Sequence, residues 1–128
     1  MELKERINKK VAVIAVMITM LVIAPFGKIY AQAATAPTTV SVQQLGYANV
    51  KIVWNPGYGC SFYELYMSTS PNGSYQLITT TTNTSYQTSA LTVGRTYYFK
   101  VRSGDGYGHA ITYSNFTNPV SHTCYFIK

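Results

Sequence analysis

Side chains able to carry out acid–base chemistry are scarce in this sequence. Beyond residue 33 the carboxylates are Glu64 and Asp105, and the imidazoles are His109 and His122. Glu64 falls in a predicted strand and Asp105 in a glycine-rich loop, so no pattern pairs them as general acid and base. Asp105 and His109 share that loop without a nucleophile elbow, and the histidines lack metal-ligand spacing. We therefore predict a protein that is not an enzyme, with no metal and no cofactor.

Cys60 and Cys124 are the only thiols in the sequence. An oxidising compartment would favour a disulfide between them, and closing that loop would stabilise the fold by about 4 kcal/mol in the loop-entropy model. Neither cysteine lies in a C-x-x-C pattern or beside a flanking base, so redox catalysis is not indicated. An intramolecular disulfide, an intermolecular one and free thiols all remain open.

The first 33 residues have the three parts of an export signal. Basic residues occupy the segment 1–10, an apolar run covers 11–24 and ends at Pro25, and Ala31-Gln32-Ala33 offers small residues at the positions that signal peptidase reads. We predict a signal peptide at 1–33 of bacterial type, cleaved before Ala34. The alternative is an uncleaved anchor, although the run is shorter than the roughly 20 apolar residues of a bilayer span.

The rest of the chain, residues 34–128, is aromatic and weakly charged. The whole sequence of 128 residues has 14% aromatic and 11% charged residues, with 12 tyrosines, which excludes a disordered tail. The formal net charge of +6 falls to +3 for 34–128, because half of it belongs to the predicted signal peptide. We predict one globular domain, secreted into the extracellular space, with cell-wall association open. No nucleic acid is expected as a partner, and no membrane after signal cleavage.

Short segments of alternating polarity follow one another along this domain. The alternation is clearest at 50–54, 63–67 and 97–101, while turn-forming residues cluster at 56–59 and 70–73. No window has helical periodicity. The spacing predicts an all-β, seven-stranded antiparallel sandwich of the immunoglobulin type. Its strands are expected near 40–45, 50–54, 63–67, 75–80, 85–88, 97–102 and 110–120.

An ordered set of residues in these segments resembles the fibronectin type III domain family. The resemblance covers about residues 37–122 and rests on Val50-x-Ile52-x-Trp54, Tyr63-x-Leu65 and Leu91-x-x-Gly94-x-x-Tyr97-x-Phe99-x-Val101. It implies that Trp54 and Tyr63 lie in the core, with Leu91 closing one end. It also implies that the Tyr97 hydroxyl bonds to backbone near the turn before its strand.

The same resemblance bears on the end of the chain and on the cysteines. Residues 121–128 run past the usual end of the fold, which requires a longer last strand or a tail that packs back. Cys60 would lie in a loop at one pole, whereas the last strand ends at the other pole. An intramolecular disulfide to Cys124 would therefore need the tail to fold back.

Two surfaces are candidates for ligand binding. The loops at 55–59 and 103–109 would emerge at one pole and combine tyrosine with glycine, serine and asparagine, the composition of binding loops. Ordinary turn chemistry is the alternative for these loops. Their candidate ligand-binding residues are Tyr58, Asp105, Tyr107 and His109.

The second surface is an outward-facing aromatic stripe of Phe62, Tyr66 and Tyr98 on neighbouring strands. Exposed rings could stack on sugars or on a protein, whereas cross-strand pairing is the alternative. On the same face Glu64 can pair with Lys100 or Arg102, and an exposed pair would contribute under about 1 kcal/mol.

These observations favour a secreted, non-catalytic binding or spacer module outside the cell. Its expected partner is a protein or a polysaccharide. The alternatives are a carbohydrate-binding accessory module and a self-associating surface protein. A fold of this kind hosts many functions, so the ligand does not follow from the fold.

Overall fold

The alternating segments form eight β-strands in a computed structural model that describes residues 33–127. The predicted signal peptide lies outside the described residues apart from Ala33. A single 3-10 turn, Gly108–Ala110, precedes the seventh strand. The strands are β1 (Val40–Gln44), β2 (Val50–Trp54), β3 (Phe62–Ser68), β4 (Gln76–Thr81), β5 (Ser85–Gln87), β6 (Thr96–Asp105), β7 (Thr112–Tyr113) and β8 (Val120–Thr123).

The strands form two antiparallel sheets that pack face to face. One sheet has the order β1-β2-β5, and the other has the order β4-β3-β6, with β7 and β8 both pairing with the far edge of β6. The predicted all-β antiparallel sandwich is thus confirmed. No helix able to span a bilayer occurs among the described residues.

The count of eight strands, where seven were predicted, comes from an interruption of the last one. Between β7 and β8 the chain stays beside β6, because the N–H groups of Ser114 and Thr117 donate to the Ser103 and Val101 carbonyls at 2.9 and 2.8 Å. The register along β6 shifts by two residues across this stretch. Pro119, which has no N–H to donate, immediately precedes β8.

The core lies between the two sheets and, apart from Cys124, is built from the predicted alternating positions. Trp54 is 2% exposed, and its ring meets Tyr63 edge-on at a centroid distance of 5.8 Å. Leu91 packs against this core from one end, and the N–H of Thr92 donates to the Tyr97 hydroxyl at 2.9 Å. The buried core residues are Val50, Ile52, Trp54, Tyr63, Leu65, Tyr97, Phe99, Val101 and Cys124.

The end of the chain both lengthens the last strand and packs back. Strand β8 pairs with β6 as far as Thr123, opposite Thr96. The side chain of Gln44 then holds the tail, since its Oε1 accepts from the Tyr125 N–H at 3.1 Å and its Nε2 donates to the Tyr125 carbonyl. Ala33–Lys128 forms one compact unit with its own hydrophobic core, as an independently folding domain requires.

Candidate functional site

Two loops form one end of the sandwich, which we call the loop pole (residues 55–61 and 104–111). The β2–β3 loop and the β6–β7 loop meet there, because the Ser61 N–H donates to the Gly104 carbonyl at 2.9 Å and Phe62 pairs with Gly104 in the sheet. All four predicted loop residues, Tyr58, Asp105, Tyr107 and His109, therefore lie at this end of the domain.

The β2–β3 loop is held in place by hydrogen bonds from its backbone N–H groups. The Gly57 N–H donates to the Tyr63 hydroxyl at 3.1 Å. A Cβ atom at residue 57 would lie 2.5 Å from Ser103 Oγ, so only glycine lets the loop approach β6 this closely. Tyr58 is tied to Thr35 by its N–H, which donates to the threonine hydroxyl at 2.8 Å. The backbone of Tyr58 is thus fixed, while its side chain remains 70% exposed.

The β6–β7 loop is shorter than predicted, because β6 runs on to Asp105. Ser103, expected in the loop, is fully buried in the strand. Gly106 and Gly108 have φ values of +106° and +58°, which glycine adopts without steric cost. Tyr107 between them is 88% exposed.

The loop pole is suited to stacking and hydrogen bonding. His109 is exposed and Asp105 half-buried, and no group of three metal-ligating side chains occurs between residues 33 and 127. Beneath the loop, burial raises the pKa of the Tyr63 hydroxyl, which accepts from the Gly57 N–H and lies 3.4 Å from Cys60 Sγ. The two large exposed rings on these loops are therefore the main candidates for contact with a ligand at this pole.

Cys60 and Cys124, between which the sequence permits a disulfide, are both free thiols in the structure. Cys60 lies in the β2–β3 loop, whose Ser61 bonds to Gly104, whereas the Cys124 N–H donates to the Arg95 carbonyl at 3.1 Å. Arg95 and Gly104 flank opposite ends of β6, roughly 30 Å apart at about 3.3 Å per residue. The tail packs back onto β1 at its own end of the sandwich and does not bring the thiols together.

The predicted exposed aromatic stripe is not open to solvent, and this expectation is corrected. Phe62, Tyr66 and Tyr98 are all half-buried. Tyr113 meets the Phe62 ring edge-on at 6.1 Å, and Phe116 meets Tyr66 in the same way at 5.0 Å. Residue periodicity does not predict these two covering rings, because the interrupted last strand does not follow a period of two.

Two cations are enclosed by the same rings. Lys100 Nζ lies 4.1 Å from the ring centroids of both Tyr75 and Phe116. The Arg102 guanidinium lies 3.7 Å from the ring centroid of Tyr113. Cations over aromatic faces are attracted by the ring quadrupole. We call this set the cation–aromatic layer; it consists of Tyr66, Tyr75, Lys100, Arg102, Tyr113 and Phe116.

Glu64 lies within this face and is buried, where an exposed residue was expected. Of the two partners proposed for it, Arg102 forms the ion pair, at 2.7 Å. The Tyr66 hydroxyl also donates to Glu64 at 3.0 Å, and burial followed by this hydrogen bond raises the pKa of Tyr66. The polar groups of the face thus bind one another, which leaves the loop pole as the better candidate for ligand binding.

Comparison with solved structures places this sandwich among fibronectin type III domains. A beta-1,2-glucanase from Parabacteroides distasonis aligns with a TM-score of 0.63 and 25% identity, over 76% of this chain and 14% of the glucanase. An Fn3-like protein from Clostridium thermocellum aligns with a TM-score of 0.56 and 26% identity, over 66% of this chain and 90% of that protein. The sixth fibronectin type III domain of human fibronectin type III domain containing protein 3 aligns with a TM-score of 0.63 and 16% identity, over 76% and 91%.

The chain has the fibronectin type III fold, and the resemblance found in the sequence is confirmed at that level. No protein-family model matches the sequence, and no curated protein matches it. The fold supports a binding or spacer module in general terms.

Proposed function

We propose that this chain is a secreted, non-catalytic module that binds its partner outside the cell through the loop pole. One observation carries the proposal: Tyr58 and Tyr107, 70% and 88% exposed, project from two loops at the same end of the sandwich. Tyrosine offers a large amphipathic contact surface at a low cost in conformational entropy. Export is part of this proposal, and amino-terminal sequencing of the protein recovered outside expressing cells should begin at Ala34.

Co-sedimentation with isolated cell envelopes that retain their proteins tests the proposal. Ala33–Lys128 is expected to co-sediment saturably. The double variant Tyr58→Ala, Tyr107→Ala should bind at least about tenfold more weakly, since truncating a hot-spot tyrosine costs about 2 kcal/mol or more. The matched control is Val53→Ala, Leu77→Ala, which removes two exposed apolar side chains on β2 and β4, away from the loops. Equal binding by both double variants would contradict a site at the loop pole.

A carbohydrate-binding accessory module is the second candidate function. It is favoured by the alignment with one segment of a beta-1,2-glucanase, an enzyme that acts on a polysaccharide. Tyrosine rings can stack on sugar rings as they do on other planar surfaces.

Binding assays with protein-free polysaccharides distinguish this candidate function from recognition of a protein partner. Chitin, cellulose, purified peptidoglycan and soluble β-1,2-glucan are incubated with the wild type and with the two double variants. Binding that requires Tyr58 and Tyr107 would identify a glycan-binding module. Envelope binding without binding to any of these glycans would reject the carbohydrate candidate and leave a protein partner.

A further inference from the structure

The end of the sandwich opposite the loop pole carries a cluster of exposed apolar side chains. We call this end the tail pole (residues 45–49, 89–95 and 124–127). Backbone hydrogen bonds hold its three segments together, from the Leu91 N–H to the Ala48 carbonyl at 2.7 Å and from the Gly94 N–H to the Cys124 carbonyl at 2.8 Å. The exposed side chains are Leu45 (45%), Tyr47 (63%), Tyr125 (54%), Phe126 (64%) and Ile127 (47%).

This apolar surface is ordered by contacts within the domain. The rings of Tyr47 and Phe126 pack together at a centroid distance of 5.3 Å. Gln44 bonds to both backbone groups of Tyr125 and to the Gly46 carbonyl, so one side chain joins the tail to the β1–β2 turn. Binding through such a surface loses little conformational entropy, because its backbone is already fixed.

The exposed area has the size that a dimer interface needs. A fully exposed aromatic side chain offers about 150–250 Å², so the three rings present roughly 300–400 Å², and the two aliphatic side chains bring the total to roughly 500 Å². A standard interface buries about 800 Å² per partner, of which about 65% is apolar in homodimers, again roughly 500 Å². One tail pole could thus supply the apolar part of an interface with a second tail pole.

The distribution of charge also permits contact between two copies. Segments 45–49 and 124–127 contain no Asp, Glu, Lys or Arg, and segment 89–95 adds a single charged residue, Arg95. The nearest cations in the described chain are Lys51 on β2 and Arg95 beside Cys124. These two side chains would lie at the rim, where salt screens their mutual repulsion.

We infer that the tail pole is a self-association surface, through which two copies of this chain form an isologous dimer. The Tyr47–Phe126 pair of each copy packs against the apolar surface of the other. In this arrangement the two loop poles point away from each other and both remain accessible. The contact is independent of the proposed ligand site, so either proposal can fail without the other.

Sedimentation equilibrium of Ala33–Lys128 in the presence of a reductant tests this inference. From about 10 µM to about 1 mM, the range of weak transient interfaces, the protein should show a reversible monomer–dimer equilibrium. The variant Tyr47→Ser, Phe126→Ser should raise the dimer dissociation constant at least tenfold. The matched control, Tyr58→Ser, Tyr107→Ser at the loop pole, should change it less than twofold.

Two further arms keep the outcome interpretable. Tyr47→Phe retains the ring and should dimerise like the wild type, which separates lost contact from lost folding, and Trp54 fluorescence confirms that each variant is folded. Higher salt should strengthen the dimer by screening Lys51 and Arg95. A monomer at every concentration, equal effects of the two serine pairs, or weaker association at high salt would overturn the inference.

Discussion

The two thiols differ in their contact with water. Cys124 is 2% exposed, and burial raises its pKa, because the charged thiolate is disfavoured away from solvent. Cys60 is half-buried in a loop at the other end of the domain. Only the thiolate reacts with disulfide reagents, so exposure and pKa together decide the rate.

We expect native protein to react with Ellman's reagent in two phases of one thiol each. Cys60 should react at least about a hundredfold faster than Cys124, whose modification should follow the rate of unfolding. The Cys60→Ser variant should lose the fast phase alone, and the Cys124→Ser variant the slow phase alone. Two equally fast thiols, or none before reduction, would contradict the free and unequally buried cysteines.

Tyr66 makes stability depend on pH in the alkaline range. Burial and then the hydrogen bond to Glu64 raise its pKa in the folded state, so the protonated phenol belongs to the native structure. Its stabilising contribution is fully present below the unfolded pKa of about 10 and is lost as pH rises through the higher folded pKa.

The free energy of unfolding of the wild type should therefore fall above about pH 10, and Tyr66→Phe should make that fall shallower. The measurement is urea denaturation at a series of pH values from neutral to strongly alkaline. Tyr58→Phe, at a side chain that is 70% exposed, is the control and should leave the slope unchanged. Parallel curves for wild type and Tyr66→Phe would show that this hydroxyl is not coupled to folding.

At the scale of strands, Glu64 and Arg102 join β3 to β6 through opposite positions of the same sheet. Solvent partly screens the attraction between the two charges, since the Glu64 side chain is 9% exposed and the Arg102 side chain 23%. Each single change leaves the other charge poorly solvated, which costs more than the pair itself contributes.

Arg102→Met and Glu64→Gln should each lower the free energy of unfolding by about 1–3 kcal/mol, a range reduced for solvent screening. The double variant should cost less than the two single changes added together, with a coupling of about 1–2 kcal/mol. Urea denaturation measures the free energy of unfolding of the two single variants and the double variant. A second double-mutant cycle, Glu64→Gln with Lys100→Met, serves as the control. A coupling near zero would show that the ion pair does not stabilise the fold.

At the scale of the whole molecule, Trp54 connects the two sheets. It lies on β2 of one sheet, is 2% exposed, and packs against Tyr63 on β3 of the other. Its indole N–H has no hydrogen-bond partner among the described residues, so replacing the indole with a phenyl ring breaks no bond.

Trp54→Ala should lower the free energy of unfolding by about 3–5 kcal/mol, the cost of truncating a large core aromatic. Trp54→Phe should cost less, because it keeps a ring against Tyr63 and buries no unpaired N–H. Far-ultraviolet circular dichroism follows both variants through thermal and urea unfolding. If alanine and phenylalanine cost the same, the contribution of Trp54 would not come from ring packing between the sheets.

The alternation around Trp54, Leu65 and Phe99 was sufficient to predict the sandwich and the members of its core other than Cys124. Every second residue of a half-buried strand must be apolar, and this requirement is local and visible in the sequence. The tyrosine and glycine of the loop pole were visible for the same reason, because turn residues are chosen by local backbone geometry.

Other features depended on contacts between distant segments. Phe116 covers Tyr66 from an interrupted strand, which buried an aromatic stripe that parity alone had placed in solvent. Gln44 folds the tail back onto β1, and this pairing spans 81 positions of sequence without a pattern to mark it. The separation of Cys60 from Cys124 followed from the fold resemblance, whereas their unequal burial required the packed domain.

By itself, then, the sequence determined an all-β sandwich of the fibronectin type III fold, its core and the loops of one pole. Strand periodicity and turn chemistry are local properties, so they can be recognised without coordinates. The tertiary structure decided which exposed rings stay exposed, which cation pairs with Glu64 and how the tail builds an apolar surface. Those outcomes depend on which side chains meet across strands and sheets, and only the packed chain brings them together.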